Sequence, residues 1–390
     1  MTRPSPPPWL VQRLRGQGGW VPFSTYMQWA LHDPEHGAYG SGRLRVGPRG
    51  DFATSPSLGP DFAALLAPQV AQWLQGQPQA EPLSLVETGP GEGSLALQLA
   101  EALASQWPAL AARTELVLVE PNPGMAERQR LQLAACPLPC RWQTLQQLAE
   151  APVRGVLLAH EVLDALAVER VVWDGEQWAR QGVELLEPTD GVFELRLSAA
   201  GPLPEVLVAQ LAALGLVQPG PQREAGWTTE LHPGLAPWLA QAGAALVAGQ
   251  LLVVDYALEA WRYYAPQRAN GTLMAYRQQR ASSDPLLEPG HWDLTAHLCI
   301  DSLEAAAAAS GWEPLGQRRQ GEALLALGLA QRLHGLQQQD PAQLPQLLSR
   351  REALLRLVDP TTLGDFRWLA FSRGLVEQPT SLFLQDPPLS

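Results

Sequence analysis

The chain has 390 residues, of which 46% are hydrophobic and 17% charged, with 36 prolines, 34 glycines and a net charge of −12. That is long and apolar enough for one large domain or two, and it excludes a mostly disordered protein. The acidic balance, with no cluster of Lys and Arg interleaved with aromatics, argues against a nucleic-acid phosphate binder and leaves a protein or a small molecule as partner.

The N-terminus MTRPSPPPWL has prolines where a signal peptide needs an apolar run, which predicts no export and a cytoplasmic protein. Residues 1–22 read as a loose Pro- and Gly-rich arm. A helix follows from Ser24, a cap candidate, with Phe23, Tyr26, Met27, Ala30 and Leu31 at helical spacing as far as Pro34. The segments HDPEHGAYG and GDFATSP (Gly50–Pro56) are aperiodic loops ahead of a helix over Phe62–Leu74.

Leu83–Leu97, LSLVETGPGEGSLAL, reads as strand, turn and helix. Leu83, Leu85 and Val86 suit a buried parallel strand, Gly89, Gly91 and Gly93 make the turn with Pro90 inside it, and Ser94 is a cap candidate for the helix. Glycines here let a ligand reach main-chain N–H groups beside the positive end of a helix. A dinucleotide fingerprint G-x-G-x-x-G would need glycine at 94, where the chain has Ser94.

Beyond the turn, helix and strand alternate. Leu95–Ala104 is a helix, the strand Leu116–Val119 ends in Glu120, and Gly124–Leu133 is a helix. Trp142 and Gln143 mark a short third strand, and a fourth, Val156–Ala159, ends in His160, Glu161 and Asp164. Alternation of this kind predicts an α/β fold, a doubly wound and largely parallel sheet with its ligand beyond the strand C-termini. Glu120 stands where a carboxylate accepts hydrogen bonds from ribose hydroxyls. The expected cofactor-facing set is Glu87, Gly89, Pro90, Gly91, Gly93, Glu120, Trp142, Gln143 and His160.

The pattern then changes. Val171–Trp173, Gln177–Arg180, Val183–Leu186 and Val192–Leu197 are strand-like pieces punctuated by Asp174-Gly175 and Asp190-Gly191, which favour hairpin turns, and a helix follows over Glu205–Leu214. The main sheet resumes with a helix over Pro237–Val247 and a strand Leu251–Val254 ending in Asp255 and Tyr256. The apolar run Leu235–Val254 is broken by Pro237, Gln241, Gly249 and Gln250, so no membrane insertion is expected. Trp261–Arg280 carries the densest positive charge and reads as an exposed cationic surface, and Leu294–Leu336 reads as helical. Cys136, Cys140 and Cys299 lack the partners for a disulfide framework or a zinc site and read as reduced thiols, with no metal expected. The regions expected are an arm and helical cap over 1–80, a cofactor-binding half over 81–170, an inserted antiparallel region over 171–235, and the rest of the sheet with C-terminal helices over 236–390.

Several stretches together resemble the MidA-type family of S-adenosylmethionine-dependent methyltransferases. Those stretches are Phe23–Tyr39, Gly50–Pro56, Val86–Leu95 (VETGPGEGSL), Val119–Gln129, Ala159–Arg170 (AHEVLDALAVER), Val253–Tyr256 and Gly271–His297. The family includes arginine methyltransferases that assist assembly of mitochondrial complex I. The resemblance implies a class I, Rossmann-like methyltransferase fold, S-adenosylmethionine as cofactor, and methyl transfer to an arginine of a complex I-like protein subunit. It makes Glu161 and then Asp164 the catalytic candidates, and places Asp51, Phe52, Thr54 and Ser55, with His36, in a loop over cofactor or substrate. His160 and Ala167 stand where the family has Asn and Pro, and Ser57 where it has an acidic residue. Those departures keep open a non-catalytic assembly chaperone with the same fold. A nicotinamide-dependent oxidoreductase is disfavoured by Ser94.

Overall fold

The computed structural model describes residues 4–44, 47, 50, 51, 53–79, 81–187, 192–218, 220, 222–377 and 380–388. Phe52 and the Asp190-Gly191 turn lie outside the described residues. The chain divides into two compact units, one of Val46–Leu163, Trp238–Tyr256 and Ala306–Ser390, the other of Met1–Arg45, Asp164–Pro237 and Ala257–Ala305.

Among the described residues, the first unit is built on seven strands: β1 (Leu83–Thr88), β2 (Thr114–Val119), β3 (Cys140–Gln143), β4 (Val153–His160), β5 (Leu246–Asp255), β6 (Glu313–Arg319) and β7 (Arg367–Arg373). Their order is β6-β7-β5-β4-β1-β2-β3. The five strands from β5 to β3 are mutually parallel, and β7 runs antiparallel to both β5 and β6. This is the Rossmann-like α/β sheet expected from the alternation. Every residue of β1 is buried, as a parallel strand covered on both faces requires. The helices α1 (Asp61–Gln75) and α2 (Ser94–Gln106) pack Phe62, Leu66, Trp73, Leu95, Leu99 and Leu103 onto this core. A third helix, α3 (Pro123–Gln132), is capped by Asn122, whose side chain accepts the Met125 N–H at 3.0 Å.

Antiparallel strands dominate the second unit. Trp20–Pro22, Trp178–Leu186, Glu169–Trp173 and Thr228–Leu231 pair in that order, with Glu194–Ala199 on the other side of Trp178–Leu186. The two pieces expected at Gln177–Arg180 and Val183–Leu186 are one strand. Gly182, which looks like a break, is a place of close approach: a Cβ there would lie 2.2 Å from the Val21 carbonyl oxygen.

Other expectations are corrected. The supposed loose arm contains a helix, Pro8–Gly16, with Leu10, Val11 and Leu14 buried, and Pro8 at the helix start suits the missing N–H. Ser24 does not cap its helix, which follows Pro22; its hydroxyl donates to Glu169 instead. Nor does Ser94 cap α2: left-handed Gly93 is the cap residue. The stretch Leu294–Leu336 is not all helix, because it contains β6, whose sequence EPLGQRR has little strand propensity and is ordered by its neighbour β7. The interrupted apolar run divides into a helix, Leu235–Ala244, and β5; among the described residues no helix is long and apolar enough to cross a membrane.

Candidate active site

The turn after β1 is made by its glycines. Gly89, Gly91 and Gly93 have φ of +57°, +54° and +83°, a region closed to most side chains. A Cβ on Gly89 would lie 2.9 Å from Cγ2 of Val162, and one on Gly93 would lie 2.6 Å from Cδ1 of Leu133. Gly89 itself is exposed, although its N–H donates to the Val119 carbonyl at 3.1 Å, while Pro90 is buried. Glu87, one residue before the strand end, is buried. Burial pushes its carboxyl up to about 8, opposed only by the Ala96 N–H at the start of α2. Its Oε2 has no hydrogen-bond partner. A buried carboxylate oxygen without a donor is costly, and a cationic ligand group would relieve that cost.

Glu120, just beyond β2, belongs to a side-chain network. Its Oε1 accepts the Asn122 N–H at 2.8 Å and its Oε2 accepts Nε2 of Gln129 at 3.0 Å. The same Gln129 amide donates to the Gly91 carbonyl at 2.8 Å, and its Oε1 accepts the Trp142 indole N–H at 3.0 Å. Burial raises the Glu120 carboxyl while those donors, with Arg128, pull it down. One fully buried amide thus joins the glycine turn, the β2 carboxylate and the β3 tryptophan. Gln143 lies beside them at the end of β3, its side-chain oxygen bonded by Arg141.

His160 ends β4 and Glu161 follows it. The His160 ring packs edge-on against Phe62, with centroids 5.4 Å apart, and its Nδ1 is 3.5 Å from Oε1 of Glu161. Burial lowers its pKa to about 4, so at neutral pH the imidazole is uncharged beside the carboxylate. Glu161 has a left-handed backbone, φ +52°. Its neighbour Val162 is the residue that meets Gly89, which brings the turn bearing Glu161 against the glycine turn.

Asp164 falls in the other unit, where it is buried and its carboxyl is pushed up to about 7. His36 is also in that unit, stacked on Trp9 at 4.9 Å. Asp51, Thr54 and Ser55 are in the sheet unit, and the turn Ser55–Leu58 packs against α1 and α2. Ser55 is fully buried and accepts Nε2 of Gln320 at 3.0 Å, and the Ser57 hydroxyl donates to the Thr54 carbonyl at 2.7 Å. The Ser55 hydroxyl therefore holds the loop to the core, while the Ser57 hydroxyl closes the turn on itself. One residue with a place in the site was not singled out from sequence, Gln129. It stands in a motif stretch that the resemblance covers, but nothing local distinguishes an amide inside a helix.

Residues 65–318 match the model of a protein family described as "Putative S-adenosyl-L-methionine-dependent methyltransferase". A COG1565 superfamily protein from Burkholderia thailandensis, solved bound to S-adenosyl-homocysteine, is similar at 30% identity and a TM-score of 0.84, over 99% of each chain. A mitochondrial protein from Drosophila melanogaster named as a homologue of the protein arginine methyltransferase NDUFAF7 is 28% identical, over 94% of this chain and 85% of its own. The human mitochondrial protein arginine methyltransferase NDUFAF7 is 25% identical, over 91% and 80%. These relatives overturn the expected cytoplasmic location, since the named arginine methyltransferases are mitochondrial. The N-terminal prolines were no guide to compartment.

Proposed function

This chain belongs to that family of S-adenosyl-L-methionine-dependent methyltransferases, and we propose that it methylates an arginine of a protein subunit during assembly of a complex I-like respiratory complex. The observation that carries the reading is the junction of Val162 with Gly89, which sets Glu161 beside the glycine turn. The named activity of the NDUFAF7 relatives supports arginine as the acceptor.

The residues present fit the cofactor. The unpartnered Glu87 Oε2 suits an α-ammonium group, the glycine turn leaves space that a Cβ would fill, and Glu120 has the acceptor chemistry for ribose hydroxyls. Trp142 and Gln143 offer the aromatic face and amide for an adenine. When bound, S-adenosylmethionine supplies an electrophilic sulfonium methyl.

Arginine is the harder partner to prepare. Its guanidinium is planar, cationic and a weak nucleophile, so a carboxylate must orient it, hold its charge and take the proton that the methylated nitrogen gives up. Glu161 fills that role in the proposal, its Oε1 lying 3.5 Å from Nδ1 of the uncharged His160 ring without a hydrogen bond between them. Asp164 enters as second carboxylate on its chain position, three residues on.

The test is tritium transfer from labelled S-adenosylmethionine to isolated complex I subunits, with calorimetry of S-adenosylhomocysteine binding. Glu161→Gln is expected to bind the product normally and to lose about 100-fold or more in transfer. Cofactor binding with no methylated arginine in any subunit would overturn the enzymatic reading in favour of an assembly chaperone.

A further inference from the structure

Among the described residues, only four other than glycine have positive φ, and Glu161 is the one in the sheet unit. A side chain enters that conformation only under restraint, and such residues gather at functional sites. Glu161 is restrained on three sides. Its own N–H donates to the Val254 carbonyl at 2.9 Å, continuing the β4–β5 ladder one residue past His160. Next to it, Val162 is wedged over Gly89. Two residues on, the Leu163 N–H donates to Oδ2 of Asp255 at 3.1 Å.

Asp255 is the unusual member. It is fully buried as the last residue of β5, and its other oxygen accepts the N–H of Tyr256 at 2.8 Å. Burying a carboxylate is costly, and ending a parallel strand does not require one. What the carboxylate does here that an apolar residue cannot is span two strand ends, accepting one N–H from the chain leaving β5 and one from the chain leaving β4. The Leu163 bond fixes the far side of the Glu161 turn, while the Val254 bond fixes the near side.

We infer that Asp255 is a positioning residue for methyl transfer, holding the left-handed Glu161 turn against the glycine turn through the Leu163 N–H. The inference rests on the proposed role of Glu161 toward the acceptor arginine.

Asp255→Asn is nearly the same size, but its amide nitrogen cannot accept, so one of the two N–H groups loses its partner. The expected result is a fall in kcat of about 10–100-fold, with KM for S-adenosylmethionine and the Kd of S-adenosylhomocysteine each within about twofold of wild type. Product binding by calorimetry confirms that the variant is folded. A second variant reads the restraint directly: Glu161→Gly removes the Cβ from the strained position, so the melting temperature is expected to rise by about 1–3 °C while transfer is lost. An unchanged kcat in Asp255→Asn overturns the inference, as does a loss of product affinity in proportion to kcat, or a lower melting temperature for Glu161→Gly. Wild-type transfer by Glu161→Gln overturns the reading of Glu161 on which the inference rests. Normal transfer by Asp255→Asn beside a crippled Glu161→Gln overturns the inference alone.

Discussion

Two buried glutamates, one in each unit, show how differently this chain treats a carboxylate taken out of water. Glu230, in the antiparallel unit, is completely buried, but beside a cation of its own chain. Arg170 Nε lies 3.3 Å from its Oε1, and its Oε2 accepts the Thr272 N–H at 2.8 Å and the Tyr263 hydroxyl at 3.3 Å. Gly271 leaves the room that this needs, since a Cβ there would lie 2.2 Å from both carboxylate oxygens. Each glutamate has one oxygen that accepts no hydrogen bond, Oε1 in Glu230 and Oε2 in Glu87, but Glu230 faces Arg170 whereas Glu87, in the sheet unit, has only the Ala96 N–H to oppose its burial. A buried carboxylate that faces a cation of its own chain fastens the fold; one without a counter-charge could take it from a cationic ligand group, as proposed for Glu87.

The largest effect that would break this contrast lies at Glu230. Glu230→Ala leaves Arg170 buried without its counter-charge and is expected to destabilise the protein by about 3–5 kcal/mol in denaturant unfolding. Glu87→Gln in the same assay should be neutral or slightly stabilising, because the residue replaced is protonated near neutral pH in the free protein. Equal losses at both positions would abolish the distinction.

Next in size is acid lability, to which both units contribute. Burial lowers His160, in the sheet unit, and His232, in the other, to about 4 from an ordinary 6.5. The unfolded chain therefore binds more protons between those values, so stability is fully present above about pH 6.5 and is lost as pH falls through about 4, by about 1–3 kcal/mol for each ring. Denaturation midpoints measured across that window should flatten partly in His160→Asn and partly in His232→Asn. A profile changed by only one of them would confine the acid response to one unit.

The smallest effect sharpens the ligand side. An ammonium group beside Glu87 favours its ionised form, so binding of S-adenosylmethionine must release a proton from a group that titrates near 8. Affinity should rise with pH by up to about tenfold per unit between about pH 6 and about 8, then level off. Calorimetry in buffers of different ionisation enthalpy counts the proton directly, and Glu87→Gln should remove it. A pH-independent affinity in wild type would mean that Glu87 keeps its proton with the ligand bound.

The sheet unit was legible in sequence wherever the signal is local. Apolar runs the length of a strand, alternating with helical spacing, fixed β1, β2, β4 and α2, and the glycines at 89, 91 and 93 marked the turn between β1 and α2, because parallel strands are buried on both faces and a turn at positive φ demands glycine. What tertiary structure alone decided depends on partners far along the chain. The helix Pro8–Gly16 hid inside a Pro-rich arm, and β6 is a strand because β7 pairs with it. Gln129 matters because Gly91, Glu120 and Trp142 converge on it, and Asp255 because Leu163, ninety-two positions earlier, donates to it. Periodicity and turn chemistry are written residue by residue; a hydrogen bond between distant segments exists only once the chain has closed, and its donors and acceptors look ordinary until then.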